Sequence, residues 1–239
     1  MIRIENLNKA FGKHQVLNDI NLEFGKGQSV ALIGPNGSGK TTLIKALLGL
    51  VVAKGDIWVE GISIKGQSNY RQQIGYMPQM SRFPDNMTVR QLFTMMKDIR
   101  SDVKPSMYDL DLYEAFEIEQ MASKRLSILS GGMKQKVSAA LAFLFAPPIL
   151  ILDEPTAGLD PVSNEILKDK LKQEISNGKL VLITSHILND LDEITTHVAY
   201  LMDGEVKFFN SLEQLKTETA ETRLNRIIAQ VLNQEKVYV

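Results

Sequence analysis

Cysteine is missing from this 239-residue chain, which removes disulfide scaffolds, thiolate metal sites and cysteine nucleophiles at once. Histidine is almost as scarce. His14, His186 and His197 are too scattered to promise a histidine-built zinc centre. No apolar run approaches the ~20 residues that a membrane-spanning helix needs. The longest, AALAFLFAPPILIL, is cut by Pro147-Pro148. The opening stretch MIRIENLNKAFG carries neither a basic segment followed by an apolar one nor an amphipathic transit pattern. Neither sign of charge is in excess: a formal net charge of −1 gives no global attraction to nucleic acid or to an acidic membrane. Long linkers, low-complexity tracts and internal repeats are also lacking. The expectation is a cytoplasmic chain whose only route to a membrane is a partner.

What is present is an ordinary globular balance, with enough apolar sequence for a core that needs no covalent staple. IRIENLNKAF and VLNDINLEF alternate and read as strands near an edge. GQSVALIG reads as a buried strand running into a glycine-rich loop, then a helix through LIKALLGL that closes at Gly49. GDIWVEG and RQQIGYMPQ return to strand character, bounded by glycine and proline. Helical periodicity dominates residues 88–144 in TVRQLFTMMKDI, MYDLDLYEAFEI and GGMKQKVSAALAFLF. Beyond it come a strand in PILILDEP, an amphipathic helix in SNEILKDKLKQEISNG, a strand in KLVLITSH and a short helix in ILNDLDEITT. HVAYLMDGEVKFF reads as a hairpin through Asp203-Gly204. Strands alternating with helices predict a parallel α/β core, interrupted by a helical insertion over 88–144.

Two stretches carry chemistry. GPNGSGKT, Gly34 to Thr41, fits the phosphate-loop pattern and sits between a buried strand and a helix. Gly34, Gly37 and Gly39 let the backbone bend until successive N–H groups face phosphate oxygens. Lys40 supplies a mobile cation for the β- and γ-phosphates, and the Thr41 hydroxyl can ligate Mg²⁺. In ILILDEP a buried strand ends in Asp153, at the carboxyl edge where such sheets bind ligands. Asp153 would hold Mg²⁺ through water. Glu154, next along, points another way and suits the orientation and deprotonation of an attacking water.

GPNGSGKTT, Gln79 in YMPQ, LSGGMKQ, LILDEP, GLD (Gly158 to Asp160) and His186 in ITSH occur in the order found in the ATP-binding subunits of ABC transporters. The chain resembles that family over about residues 1–215, which leaves 216–239 as a helical tail. The resemblance implies a P-loop NTPase (RecA-like) core with an antiparallel β subdomain at its start and the helical subdomain inserted. It implies ATP and Mg²⁺ as ligands, with Pro35, Asn36, Ser38 and Thr42 completing the nucleotide-binding stretch. Phe11 matches the aromatic that stacks on adenine, with Val16 beside the ring; the family often has tyrosine there, and phenylalanine keeps the stacking face. Gln79 matches the residue that touches Mg²⁺ and the attacking water. His186 matches the switch histidine at the γ-phosphate.

A second anion site, ILSGGMKQK, stands far from the phosphate loop in sequence. Its serine and glycines open a helix, where free N–H groups and the helix dipole favour a phosphate. In the family two subunits meet head to tail, so Ser130, Gly131 and Gly132 would reach the partner's nucleotide in trans, with Asp160 communicating between the two sites. Met133 stands where glutamine is common, a variant frequent in exporters with a separate polytopic membrane subunit.

The partners implied are such a permease and a second ATPase subunit, in a homodimer or pseudo-dimer on the inner face of the membrane, without nucleic acid. A soluble ABC ATPase of translation or DNA maintenance is the competing reading, and an accessory role in copper-enzyme maturation is an alternative for the substrate. Eight methionines, Met77, Met80, Met87, Met95, Met96, Met107, Met121 and Met133, crowd the span where the family docks its membrane partner. They either fill a helical core or line the docking surface, with Met80 and Met87 the expected surface pair. The tail stripe of Leu224, Ile227, Ile228, Val231 and Leu232 fits packing on the chain's own body, or a dimer or regulatory contact.

Overall fold

In the computed structural model, residues 1–185 and 188–237 are described. Five strands set the centre: β3 (Ser29–Ile33), β6 (Ile74–Met77), β7 (Ile149–Asp153), β8 (Leu180–Thr184) and β9 (His197–Met202). They pair in parallel in the order β9-β3-β8-β7-β6, and β10 (Glu205–Ser211) closes one edge antiparallel to β9. All five residues are buried in each of β3, β7 and β8, as expected of parallel strands covered on both faces. The β9–β10 hairpin turns at Asp203 and Gly204, both with left-handed φ (53° and 78°), which is the mirror-type turn that matches strand twist.

A second, antiparallel sheet holds β1 (Ile2–Phe11), β2 (His14–Phe24), β4 (Lys54–Val59) and β5 (Ile62–Ser63) in the order β2-β1-β4-β5. Between the two sheets lies an apolar core built around Phe24, Leu32, Leu43, Ile44 and Ile151. Helix α1 (Lys40–Leu47) runs through it, ending where Gly49 takes a left-handed φ of 64°. The fold is therefore the α/β arrangement expected, with a parallel core and an antiparallel sheet.

The insertion starts with α2 (Val89–Ile99), whose Thr88 and Gln91 side chains satisfy each other's backbone N–H groups in a capping box. It then departs from the helical expectation. The segment MYDLDLYEAFEI makes only a five-residue helix, α3 (Asp111–Ala115), followed by single turns. Glu117 breaks the helix with φ 52°, and this redirects Ile118, Met121 and Leu126 inward beside Leu112 and Phe116. The segment opening at LSGGMKQ, the signature of the family that the chain resembles, does form a full helix, α4 (Gly131–Phe143). ILNDLDEITT keeps one 3-10 turn, Leu188–Leu191.

Helix α5 (Pro161–Ser176) covers the other face of the core. At the end of the chain α6 (Leu212–Thr219) and α7 (Leu224–Val237) lie on this same core: Leu224, Ile227 and Ile228 are buried, with Val231 and Leu232 packed alongside. Of the methionines, Met77 and Met121 are buried, and Met95, Met96 and Met133 pack against the helical core. Met87 packs there too but is only half-buried, and its carbonyl accepts from the Leu126 N–H at 2.9 Å. Met80 is 66% exposed, as expected.

Candidate functional site

The phosphate loop is shaped by what stands behind it. A β-carbon on Gly34 would lie 2.0 Å from the Leu201 carbonyl oxygen, and one on Gly39 would lie 2.7 Å from that of Val16. Gly34 and Gly39 take φ of 154° and 106°, so both conformation and space require glycine. The β9–β10 turn buttresses the loop: the Gly204 N–H donates to the Ser38 carbonyl at 3.2 Å. Inside the loop, Lys40 Nζ donates to the carbonyls of Gly34 at 2.7 Å and Pro35 at 3.1 Å. Burial pushes the Lys40 ammonium below the ordinary lysine range, while the carboxylates of Glu154 and Asp153 pull it back. A cation held this way is desolvated in advance and favours an arriving phosphate.

A cleft of about 430 Å³ opens over the loop. It is lined by Val16, Asn36, Gly37, Ser38, Gly39, Lys40, Thr41 and Thr42, together with Gln79, Asp153 and Glu154. Residues far apart in sequence are thus brought to one place. The carboxyl ends of β7 and β8 are in register at Asp153 and Thr184, and Thr184 Oγ1 donates to Asp153 Oδ1 at 2.5 Å. Glu154 leaves the strand at once with φ 54°, its N–H donating to both the carbonyl and the hydroxyl of Thr184 at 3.1 Å. Glu154 thus stands outside the strand, where the alternation expected to direct its side chain no longer applies, and both acids line the cleft.

Sequence reasoning missed Thr184, and also His14, which lines the same cleft from the β1–β2 hairpin. Phe11 lies outside the cleft lining, 53% exposed, with Lys9 Nζ 4.7 Å from its ring centroid. Gly34 and Pro35 contribute through the loop backbone. His186 lies outside the described residues.

Thr41, Gln79 and Asp153 offer a hydroxyl, an amide and a carboxylate oxygen to the cleft, a donor set that suits Mg²⁺. Among the described residues no cluster of three or more histidine and acidic side chains forms a dedicated metal cage. An ion here would complete its shell with phosphate oxygens and water, as Mg²⁺ prefers.

Ser130, Gly131, Gly132 and Asp160 do not line this cleft. Ser130 caps α4, its Oγ accepting the Met133 N–H at 3.3 Å, and it is exposed together with Gly131. Asp160 caps α5, accepting the Ser163 N–H at 2.9 Å, and pairs with Lys136 of α4 at 2.9 Å. The Ser163 N–H first, then Lys136, hold its carboxyl well below the usual carboxylate range. Gly132 packs on the same loop: a β-carbon there would lie 2.7 Å from the Gly158 carbonyl.

Residues 17–157 match the ABC transporter family. The ABC transporter ATP-binding protein YtrB of Bacillus subtilis is 34% identical over 91% of this chain and 74% of its own. The Nod factor export ATP-binding protein I of a Bradyrhizobium strain is 30% identical over 85% of this chain and 68% of its own. Among solved structures, the ATP-binding subunit of an ABC transporter superposes with a TM-score of 0.89 at 28% identity, covering 97% of this chain and 99% of that one. A dimeric ATP-binding cassette bound to ADP and Pi in a post-hydrolysis state superposes with 0.77 at 25% identity, covering 89% and 99%. The phosphate loop, Gln79, Asp153 and Glu154 sit within the matched span, and the chain belongs to the ABC transporter family as an ATP-binding, ATP-hydrolysing subunit of an ATP-driven transporter.

Proposed function

We propose that this subunit powers export through a separately encoded polytopic permease, working as a head-to-tail dimer that sandwiches two ATP molecules. The observation that carries the dimer is the division of the site. The cleft gathers Lys40, Thr41, Gln79, Asp153 and Glu154, while a second phosphate-ready helix terminus at Ser130, Gly131 and Gly132 lies outside it, with Ser130 and Gly131 exposed. Two copies head to tail give each terminus a nucleotide to close upon. The related dimeric cassette with ADP and Pi supports this arrangement, and the Nod factor export relative supports the direction of transport.

The family resemblance supports the roles, and the cleft lining supports those of Val16, Lys40, Thr41, Gln79, Asp153 and Glu154. The phosphate-loop N–H groups and Lys40 hold the β- and γ-phosphates, and Phe11 and Val16 receive the adenine. Mg²⁺ bound by Thr41, Gln79 and Asp153 would neutralise phosphate charge. Thr184 keeps the Asp153 carboxylate oriented. Glu154 accepts the proton of the attacking water and His186 helps position that water. From the partner, Ser130 and the two glycines meet the γ-phosphate, and Asp160 reports between the sites. No helix of the described residues is long and apolar enough to cross a membrane, so the permease would hold the subunit at the inner face. A groove of about 410 Å³ between β6 and the insertion, walled by Tyr76, Pro78, Phe83, Met96 and Phe145, is the surface we assign to the permease.

Ser130→Arg tests the division. ATP binding, read with a fluorescent analogue, should persist while turnover is abolished, because the arginine blocks closure and leaves the cleft intact. Full ATPase activity in that variant would refute action in trans.

A further inference from the structure

Gln135 lies in the second turn of α4 and is 95% removed from solvent, with a relative exposure of 5%. A buried primary amide costs stability unless both of its ends are bonded. Here the two ends reach two different parts of the catalytic apparatus. Its Nε2 donates to the main-chain carbonyl of Glu154 at 3.3 Å, and its Oε1 accepts from Ser81 Oγ at 3.4 Å. Ser81 is two residues beyond Gln79. One side chain therefore joins the signature helix, the end of β7 and the loop that carries Gln79.

The residue it grips is strained. Glu154 is a non-glycine residue with φ 54° and 7% exposure, a conformation that persists only where the surroundings enforce it. Thr184 holds its N–H from one side, at 3.1 Å to both oxygens. Its carbonyl is held from the other side by Gln135 and by the Ala157 N–H at 3.2 Å. The neighbouring residue Lys136 pins the same turn of α4 to Asp160, so α4 has little freedom to slide past β7.

We propose that Gln135 is a positioning residue for ATP hydrolysis: it fixes the peptide of Glu154, and so the direction of that carboxylate, according to where the signature helix and the Gln79 loop stand. The proposal rests on Glu154 being the base. Binding of ATP does not pass through Gln135, which does not line the cleft, so its loss should appear in kcat and not in KM.

Full-length Gln135→Met, Glu154→Gln and the double variant are compared in turnover of radiolabelled ATP at saturating Mg²⁺, with affinity from a fluorescent analogue. Gln135→Met should lower kcat about tenfold, the worth of one buried hydrogen bond, with KM within about twofold. The double variant should be no slower than Glu154→Gln alone, since Gln135 acts through that carboxylate. Unchanged kcat in Gln135→Met overturns the proposal, as does a full tenfold loss on top of Glu154→Gln. A lowered melting temperature with wild-type kcat reduces Gln135 to packing and also overturns it. Should Gln135→Met not fold, Gln135→Glu takes its place, because it keeps the size and the acceptor for Ser81 while losing the donor. Wild-type turnover in Glu154→Gln would remove the base, and this proposal with it, in a chain whose Gln135 is intact.

Discussion

Lys170 is the buried cation whose removal has the most readable cost. Its Nζ lies 2.7 Å from Asp109, 2.6 Å from Asp111 and 2.9 Å from Glu174, and its side chain is only 6% exposed. Burial by itself would lower the pKa of this ammonium, but hydrogen bonds to Asp109, Asp111 and Glu174 outweigh it and hold it above the ordinary lysine range. A raised lysine contributes its stability at every pH below its ordinary value and loses it only as pH climbs through the folded one, so at pH 7 the contribution is complete. Lys170→Met fills the same space and leaves the acids. Asp111 is 60% exposed and water takes over its solvation. Glu174 keeps Lys179. Asp109, 10% exposed, is the group left stranded. Breaking a buried pair costs about 3–5 kcal/mol, and with only one acid orphaned the lower end, ~3 kcal/mol, applies. A chain of this size has an unfolding entropy of about 0.5 kcal/mol/K, so the melting temperature should fall by about 6 °C. Scanning calorimetry at pH 7 measures this directly. Adding Asp109→Asn should return part of the loss by removing the stranded charge. A melting temperature for Lys170→Met equal to or above wild type would refute the account, and would mean that the cluster's desolvation cost cancels its attraction.

Two further outcomes are expected. Gly39→Ala should keep the fold and weaken ATP binding by about tenfold or more, since the added carbon meets the Val16 carbonyl and a φ of 106° is strained for alanine; wild-type affinity in nucleotide titration would show that the loop tolerates it. Burial pushes the His197 imidazole, beside Phe209 and Gln28, below the ordinary histidine range. The unfolded chain therefore takes up that proton first, and the fold loses stability as pH drops below about 6.5. His197→Gln should flatten that part of a melting-temperature profile between neutral and mildly acid pH, and an unaltered slope would sink the assignment.

The sequence was most legible where one short segment carries both a shape and its chemistry. The phosphate loop is such a segment: strand, glycines, lysine and helix follow one another, so spacing alone located it. Asp153 was legible for the same reason, as the polar end of an apolar strand. Thr184 ends a similar strand, yet its meeting with Asp153 depends on the β7–β8 register, which spacing along the chain does not reveal. Two adjacent buried strands each ending in a polar residue would have been the signal. His14 was hidden because a hairpin tip carries it into the cleft. The helix expected through MYDLDLYEAFEI failed at Glu117, where the left-handed turn has no glycine or asparagine to announce it. Tertiary burial of Ile118 and Met121 overrides the helical period there.

The same contrast explains why one helix can serve as both contact and lever. Ser130 and Gly131 sit at the exposed start of α4, while Gln135, one and a half turns on and about 7.5 Å along the axis, is buried and bonded to Glu154. A packed α-helix moves as a rigid unit over that length. On the proposed reading, a nucleotide brought to Ser130 by a second copy must shift Gln135 and Lys136 together, and with them the peptide of Glu154 and the cap of α5 at Asp160. Closure of the dimer and alignment of the base then become one displacement. The Gln79 loop joins that displacement through Ser81, so a permease seated against the loop would bias hydrolysis without touching the nucleotide.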